Sequence, residues 1–170
     1  MATVTRSAML MVQSLVGGTP TPYSFPEDAS QTFVKGEVGF ISAGLAKEIA
    51  GDTPSQIAGV FNQPAHNDAT AATHMVSMLL AHPSTVFEAN LVETGLAAHV
   101  LVQADIGKYV EIIRDTTNSK VYLNATPPNG GANVRAVIIG IDSRTSAIGD
   151  TDARVRFLFL PNNTQFAATS

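Results

Sequence analysis

The apolar residues of this chain fall in short runs bounded by Gly, Pro, Asn and Asp, and no long stretch carries the spacing of an amphipathic helix. From Phe33 onward the runs at 37–42, 57–61, 74–81, 86–90, 109–114, 120–123, 133–142 and 153–160 predict strands. In 133–142, Val134, Ala136 and Ile138 alternate with Arg135, Val137 and Ile139, so that both faces turn apolar. That predicts a strand covered on both sides. In 153–160, Arg154 and Arg156 alternate with Val155 and Phe157, which predicts a half-exposed start and a buried end. The Ser, Thr, Gly and Asp segment between these two runs has hairpin-loop length and predicts antiparallel pairing. The strongest turn signal is Pro127-Pro128-Asn129-Gly130-Gly131. Helix is confined to short candidates: 91–104, interrupted by Thr94 and Gly95; a capped turn at Ala104-Asp105-Ile106-Gly107; and 68–75.

Before these strands, residues 17–26 read GGTPTPYSFP, a proline spacing that favours an extended segment over helix or a central strand. The chain therefore divides into an N-terminal extended arm (1–32), an all-β body (33–166) and a short tail (167–170). Tyr23 and Phe25 would be poorly protected on a lone extended segment, and are expected to pack on the body or on a neighbour. The apolar run Met9-Leu10-Met11-Val12 is too short to span a membrane and reads poorly as a secretory leader.

Composition narrows the function. Only 14% of the 170 residues are charged, against 45% hydrophobic. A surface so poor in charge is expected to be hidden in contacts. The ten Lys and Arg are scattered in a chain of net charge -4, which leaves no basic stripe for nucleic acid. Cysteine is absent, and with it disulfides, thiolate metal sites and cysteine nucleophiles.

No catalytic pattern emerges. His66, His74, His82 and His99 lack the spacing of a metal-binding pair on one helical turn, so a metal site would need tertiary folding to gather them, and none is expected. The segment Gly39–Gly44 (GFISAG) lacks the nucleophile-turn spacing, and no phosphate-cradling glycine loop is present. Asp142, Asp150 and Asp152, with Ser143, could offer oxygens to calcium but miss the calcium-loop spacing, and read as turn formers. Glu88 and Glu111 lie within apolar strands, where a polar position ordinarily faces water. The expectation is a protein without catalysis or cofactor.

The ordered blocks say more. Val34-Lys35-Gly36-Glu37-Val38-Gly39-Phe40-Ile41-Ser42-Ala43-Gly44 is followed by Ile57-Ala58-Gly59-Val60, then Thr85-Val86-Phe87-Glu88-Ala89-Asn90-Leu91, then Ala104-Asp105-Ile106-Gly107-Lys108-Tyr109. Arg135–Asp142, Arg154–Leu160 and Thr164-Gln165-Phe166 complete the series. In order and spacing, over about residues 33–166, this layout resembles the head decoration (capsid cement) proteins of tailed phages. The resemblance implies a compact β-barrel or β-tulip-like body on the outer surface of the assembled head. There it would bridge neighbouring major capsid protein subunits, commonly as a homotrimer, and act by multivalent contact. It implies neither a membrane nor a nucleic-acid partner.

Two segments depart from the simple family layout: the long start, 1–30, and the insertion at 62–73. Binding geometry particular to this chain is expected there, with Pro20, Pro22, Tyr23 and Phe25 of the arm and Asn62, Gln63 and His66 of the insertion as contact residues. The competing readings are a tail or neck component and a virion-displayed carbohydrate-binding or adhesive domain. The absence of Trp and the presence of only three Tyr argue against the last.

Overall fold

The computed structural model describes residues 1–15, 21–49, 56–126 and 134–166. Its largest strand, β7 (Thr85–Val92), is buried along its whole length, wanting contact on both faces and both edges. Along one edge runs β11 (Arg154–Phe159), antiparallel. The other edge is divided. Residues Thr85 to Glu88 pair with β1 (Leu10–Ser14), while Leu91 and Val92 pair in parallel with β9 (Lys120–Asn124). From β9 the ladder continues antiparallel through β8 (Tyr109–Asp115) and β10 (Ala136–Ile141) back to β11. These five strands form a closed β-barrel. Its interior takes alternate residues of each strand, among them Leu91, Val110, Ile112, Leu123, Ile138 and Val155. Phe87, Phe157 and Phe159 pack at ring-centre separations of 5.0 to 5.9 Å.

A second five-stranded sheet runs in the order β2 (Tyr23–Pro26), β6 (Met75–Leu80), β5 (Gly59–Phe61), β3 (Val38–Ser42) and β4 (Leu45–Glu48). Its outer strands meet where Glu27, just past β2, forms a parallel bridge with Ala46, and the Asp28 amide donates to the Ala46 carbonyl at 3.1 Å. The sheet thus curls into a small ring. Phe33, Ala46, Ala58, Phe61, Val76 and Met78 fill it, with the Phe33 and Phe61 rings stacked at 3.5 Å. Such tight curling needs residues without side chains at the crossing. Gly39 and Gly59 face each other across β3 and β5, and a Cβ on Gly59 would lie 2.3 Å from the Leu79 carbonyl oxygen. The opposite faces of β3 and β5 send Val38 and Val60 into the main core, so the two units share apolar packing. They also share an ionic tie: Arg114 of β8 donates to Glu37 at 2.9 Å, Glu48 at 3.0 Å and the Ile49 carbonyl at 2.9 Å.

The predicted strands are all present, with ends displaced by up to three residues. Three more were not expected: β1, β2 and β4. The hairpin between β3 and β4 turns on Ala43 (φ 51) and Gly44 (φ 80), a two-residue loop with both central residues left-handed, which matches strand twist. β10 and β11 are antiparallel as predicted. β10, however, is covered on one side only past its bulge, where Ile139 is exposed. Nor is the start of β11 half exposed: Arg154 is buried beneath residues 7 and 8. Segment 68–75 forms bends and turns that lead into β6, because its residues spend their hydrogen bonds on the loop itself. In 91–104 β7 runs on to Val92, and only the single 3-10 turn Thr94–Leu96 and the start of a second, Gln103–Asp105, are helical. The second lies at the capped turn expected there. The proline-glycine turn at 127–131 lies outside the described residues, as does the tail 167–170.

Candidate functional site

The arm and the insertion, well separated in the chain, meet on the rim of the small ring. Pairing of β2 with β6 sets Tyr23 opposite Met78, Ser24 opposite Ser77 and Phe25 opposite Val76. The insertion then folds across the same strand. The Asn62 amide donates to the Ser77 carbonyl at 2.9 Å, the Ser77 hydroxyl to Gln63 Oε1 at 3.0 Å, and Gln63 Nε2 to the Met75 carbonyl at 3.1 Å. At the end of β2, buried Glu27 accepts the His66 backbone amide at 2.9 Å and lies 2.7 Å from His66 Nδ1. The His66 ring stacks on His74 at 4.3 Å, and His74 Nε2 lies 3.4 Å from Asp68.

Exposure separates the expected contact residues. Pro22, Tyr23 and His66 are exposed, and Asn62 and Gln63 are half-buried. Phe25 turns inward and stacks on Phe166 at 6.1 Å, so its ring is committed to holding the C-terminal segment. That segment is also gripped through Gln165, whose side-chain amide accepts from the Ile41 amide at 2.6 Å and donates to the Ile41 carbonyl at 2.7 Å. Pro20 lies outside the described residues.

The acidic candidates have structural partners. Glu88, expected to face water, is buried on the outer face of β7, where Arg144 and Arg156 both reach it at 3.1 Å. Asp142 is tied to Arg144 at 2.8 Å and to the Thr145 hydroxyl, contacts that hold its carboxyl at about 2 against an ordinary 3.8. Asp150 caps the Ala2 and Ala147 amides, and Asp152 binds Arg6. The three aspartates thus serve separate contacts. His99 lies between Glu93 at 2.5 Å and buried Asp105 at 2.9 Å. Burial pushes the Asp105 carboxyl up, but Lys108, the Val102 amide and His99 outweigh it and hold the group below its ordinary value. The Thr126 hydroxyl and His99 lower Glu93 in the same way. Among the described residues, no group of three or more acidic or histidine side chains is placed to hold a metal, and no helix is long and apolar enough to cross a membrane.

Sequence reasoning did not find the apolar row on the outside of the barrel. Register places Tyr109, Val137 and Leu158 side by side on β8, β10 and β11, with exposed Ile139 further along β10. The signal was in the sequence: both registers of 133–142 are apolar, and one of them had to face outward. Taken together, the described surface offers a rim whose acidic groups are paired with histidines and an apolar row on the outside of the barrel. No family model, no curated protein and no solved structure matches this chain.

Proposed function

We propose that this protein is a virion structural component that binds the outer surface of a phage head and stabilises it by bridging neighbouring major capsid protein subunits. The observation that carries the reading is the meeting of arm and insertion. Two segments marked out separately by their departure from the decoration-protein layout lie hydrogen-bonded to the same strand pair, with Pro22, Tyr23 and His66 exposed along one rim. Low surface charge supports it, because a patch without like-charge repulsion can bury against a protein lattice at small desolvation cost. On this reading the protein acts as a homotrimer and each contact is modest. Occupancy then comes from several contacts made at once.

The test is co-sedimentation with empty heads built from the major capsid protein of the same genome. Wild-type protein is expected to saturate the heads and raise their resistance to heat. A Tyr23→Asp, Gln63→Asp double variant is expected to lose at least about tenfold in occupancy, the scale of one or two lost interface contacts. Failure of the wild-type protein to bind heads, or its location on tails in electron micrographs, refutes the reading.

A further inference from the structure

Residues 1–9 cross the outside of the barrel as a strap whose attachments are almost wholly polar. Thr3 bridges Thr151 in parallel, the Val4 amide donates to the Thr151 carbonyl at 2.9 Å, and Ala2 donates to Asp150 at 2.9 Å. Arg6 is the most heavily held side chain. Its Nε lies 2.9 Å from Asp152, Nη1 donates to the Leu96 carbonyl at 2.9 Å, and the guanidinium sits 5.7 Å from the centre of the Tyr122 ring. Ser7 comes next: its amide donates to the Asn90 side chain at 2.9 Å, and its hydroxyl accepts from Arg154.

The seat is built from side chains that belong to the barrel. Asn90 and Arg154 are buried on the outer face of β7 and β11, and among their partners are strap atoms. Apolar anchoring is slight, since Met9 is the only buried residue of the nine. A groove of about 490 Å³ also stays open between residues 2–7 and Thr145 with Arg154. Met9 belongs to the main core, but residues 1–8 bury no apolar side chain of their own and can lift away, because the polar groups they uncover are met by water instead. It leaves behind a row of donors and acceptors matched to an extended backbone, an acidic socket for one guanidinium and a cradle for one small hydroxyl. Beyond Ser7, β1 continues by adding backbone hydrogen bonds to the edge of β7.

We propose that the outer face of β7 and β11 is a binding site for an extended peptide with an arginine-serine core, filled in the single chain by its own strap and open to the strap of a second copy. Exchange of an identical element between copies conserves every contact, so its cost is small. The strap's seat shares no residue with the rim of the small ring.

The experiment uses the full-length chain carrying Arg6→Ala and Ser7→Ala, which weakens the resident strap and leaves the seat intact. A C-terminally labelled peptide of residues 1–14 is added and anisotropy is followed. The expected result is saturable binding to the variant, at least about tenfold weaker when the peptide carries the same two substitutions. In the unmodified chain, hydrogen exchange should show the Val4 and Ser7 amides opening about a hundredfold or more above the level of Leu91 and Phe157. A folded variant that ignores the peptide overturns the proposal. So does a variant that cannot fold, or a strap protected as well as the barrel interior, because either means that the strap is not separable from the barrel.

Discussion

The large barrel closes where β7 meets β9 and is filled by bulky side chains; the small ring closes where Glu27 meets Ala46 and is built round paired glycines and two stacked phenylalanines. Both closures are short parallel contacts in otherwise antiparallel sheets. They differ in tolerance. In the barrel three phenylalanines meet edge-on or tilted, an arrangement that can readjust, whereas the ring brings backbone against backbone at Gly59. Size of core and tightness of curl are therefore opposed in one molecule. The larger unit depends on volume and the smaller on the absence of side chains.

The largest effect is expected at the tie between the units. Arg114→Ala leaves Glu37, 1% exposed, without its charge partner, and should cost about 3–5 kcal/mol in chemical denaturation. Replacing Arg114 by Met and Glu37 by Leu together should recover most of that loss, since the pair is then removed whole. Next comes the glycine contrast. Gly59→Ala should lose about 1–3 kcal/mol by forcing β5 away from Leu79, and spectroscopic probes in the small ring should report it first. Gly140→Ala in the barrel, where an added Cβ meets nothing within 4 Å, should lie within about 0.5 kcal/mol of the parent.

Acid should act unequally on the two units. Asp142 has its folded value depressed, so the stability it contributes is complete above 3.8 and is lost as pH falls toward about 2. Asp105, Asp150 and Glu93 are depressed in the same direction and add to the same trend. These groups border the barrel and its strap, while the small ring has Asp28, paired with Lys47. Fluorine labels placed in each unit should show the barrel end loosening first on acidification. The smallest effect is expected for Ile139→Ser on the outer row: no measurable change in stability, read by thermal melting, because an exposed strand residue leaves little packing behind.

The strands legible in the sequence are those whose apolar runs end in glycine, proline, asparagine or aspartate. Those missed had local chemistry pointing elsewhere. β4 is Leu-Ala-Lys-Glu, a helix-forming composition held extended by its hairpin partner β3. β2 ends in Pro26, tolerable only because the strand lies at a sheet edge. Ring closure joins Leu91 to Leu123 and Glu27 to Ala46, contacts that no local pattern announces. At the rim, Tyr23, Gln63 and His66 could be singled out one by one, but their meeting depends on the pairing of β2 with β6. Asn90 and Arg154 looked like ordinary polar strand positions. What makes them the seat of the strap is a partner from the far end of the chain.

That distance has a consequence during synthesis. Ala2 docks on Asp150, 148 residues downstream, so the strap is made well before its seat exists. At ordinary rates of translation the interval is on the order of ten seconds, long compared with the formation of any single hairpin. Through that interval the nascent strap trails free while chains on the same message emerge beside it. On the exchange proposed above, that delay gives each strap time to meet the barrel of a neighbouring chain.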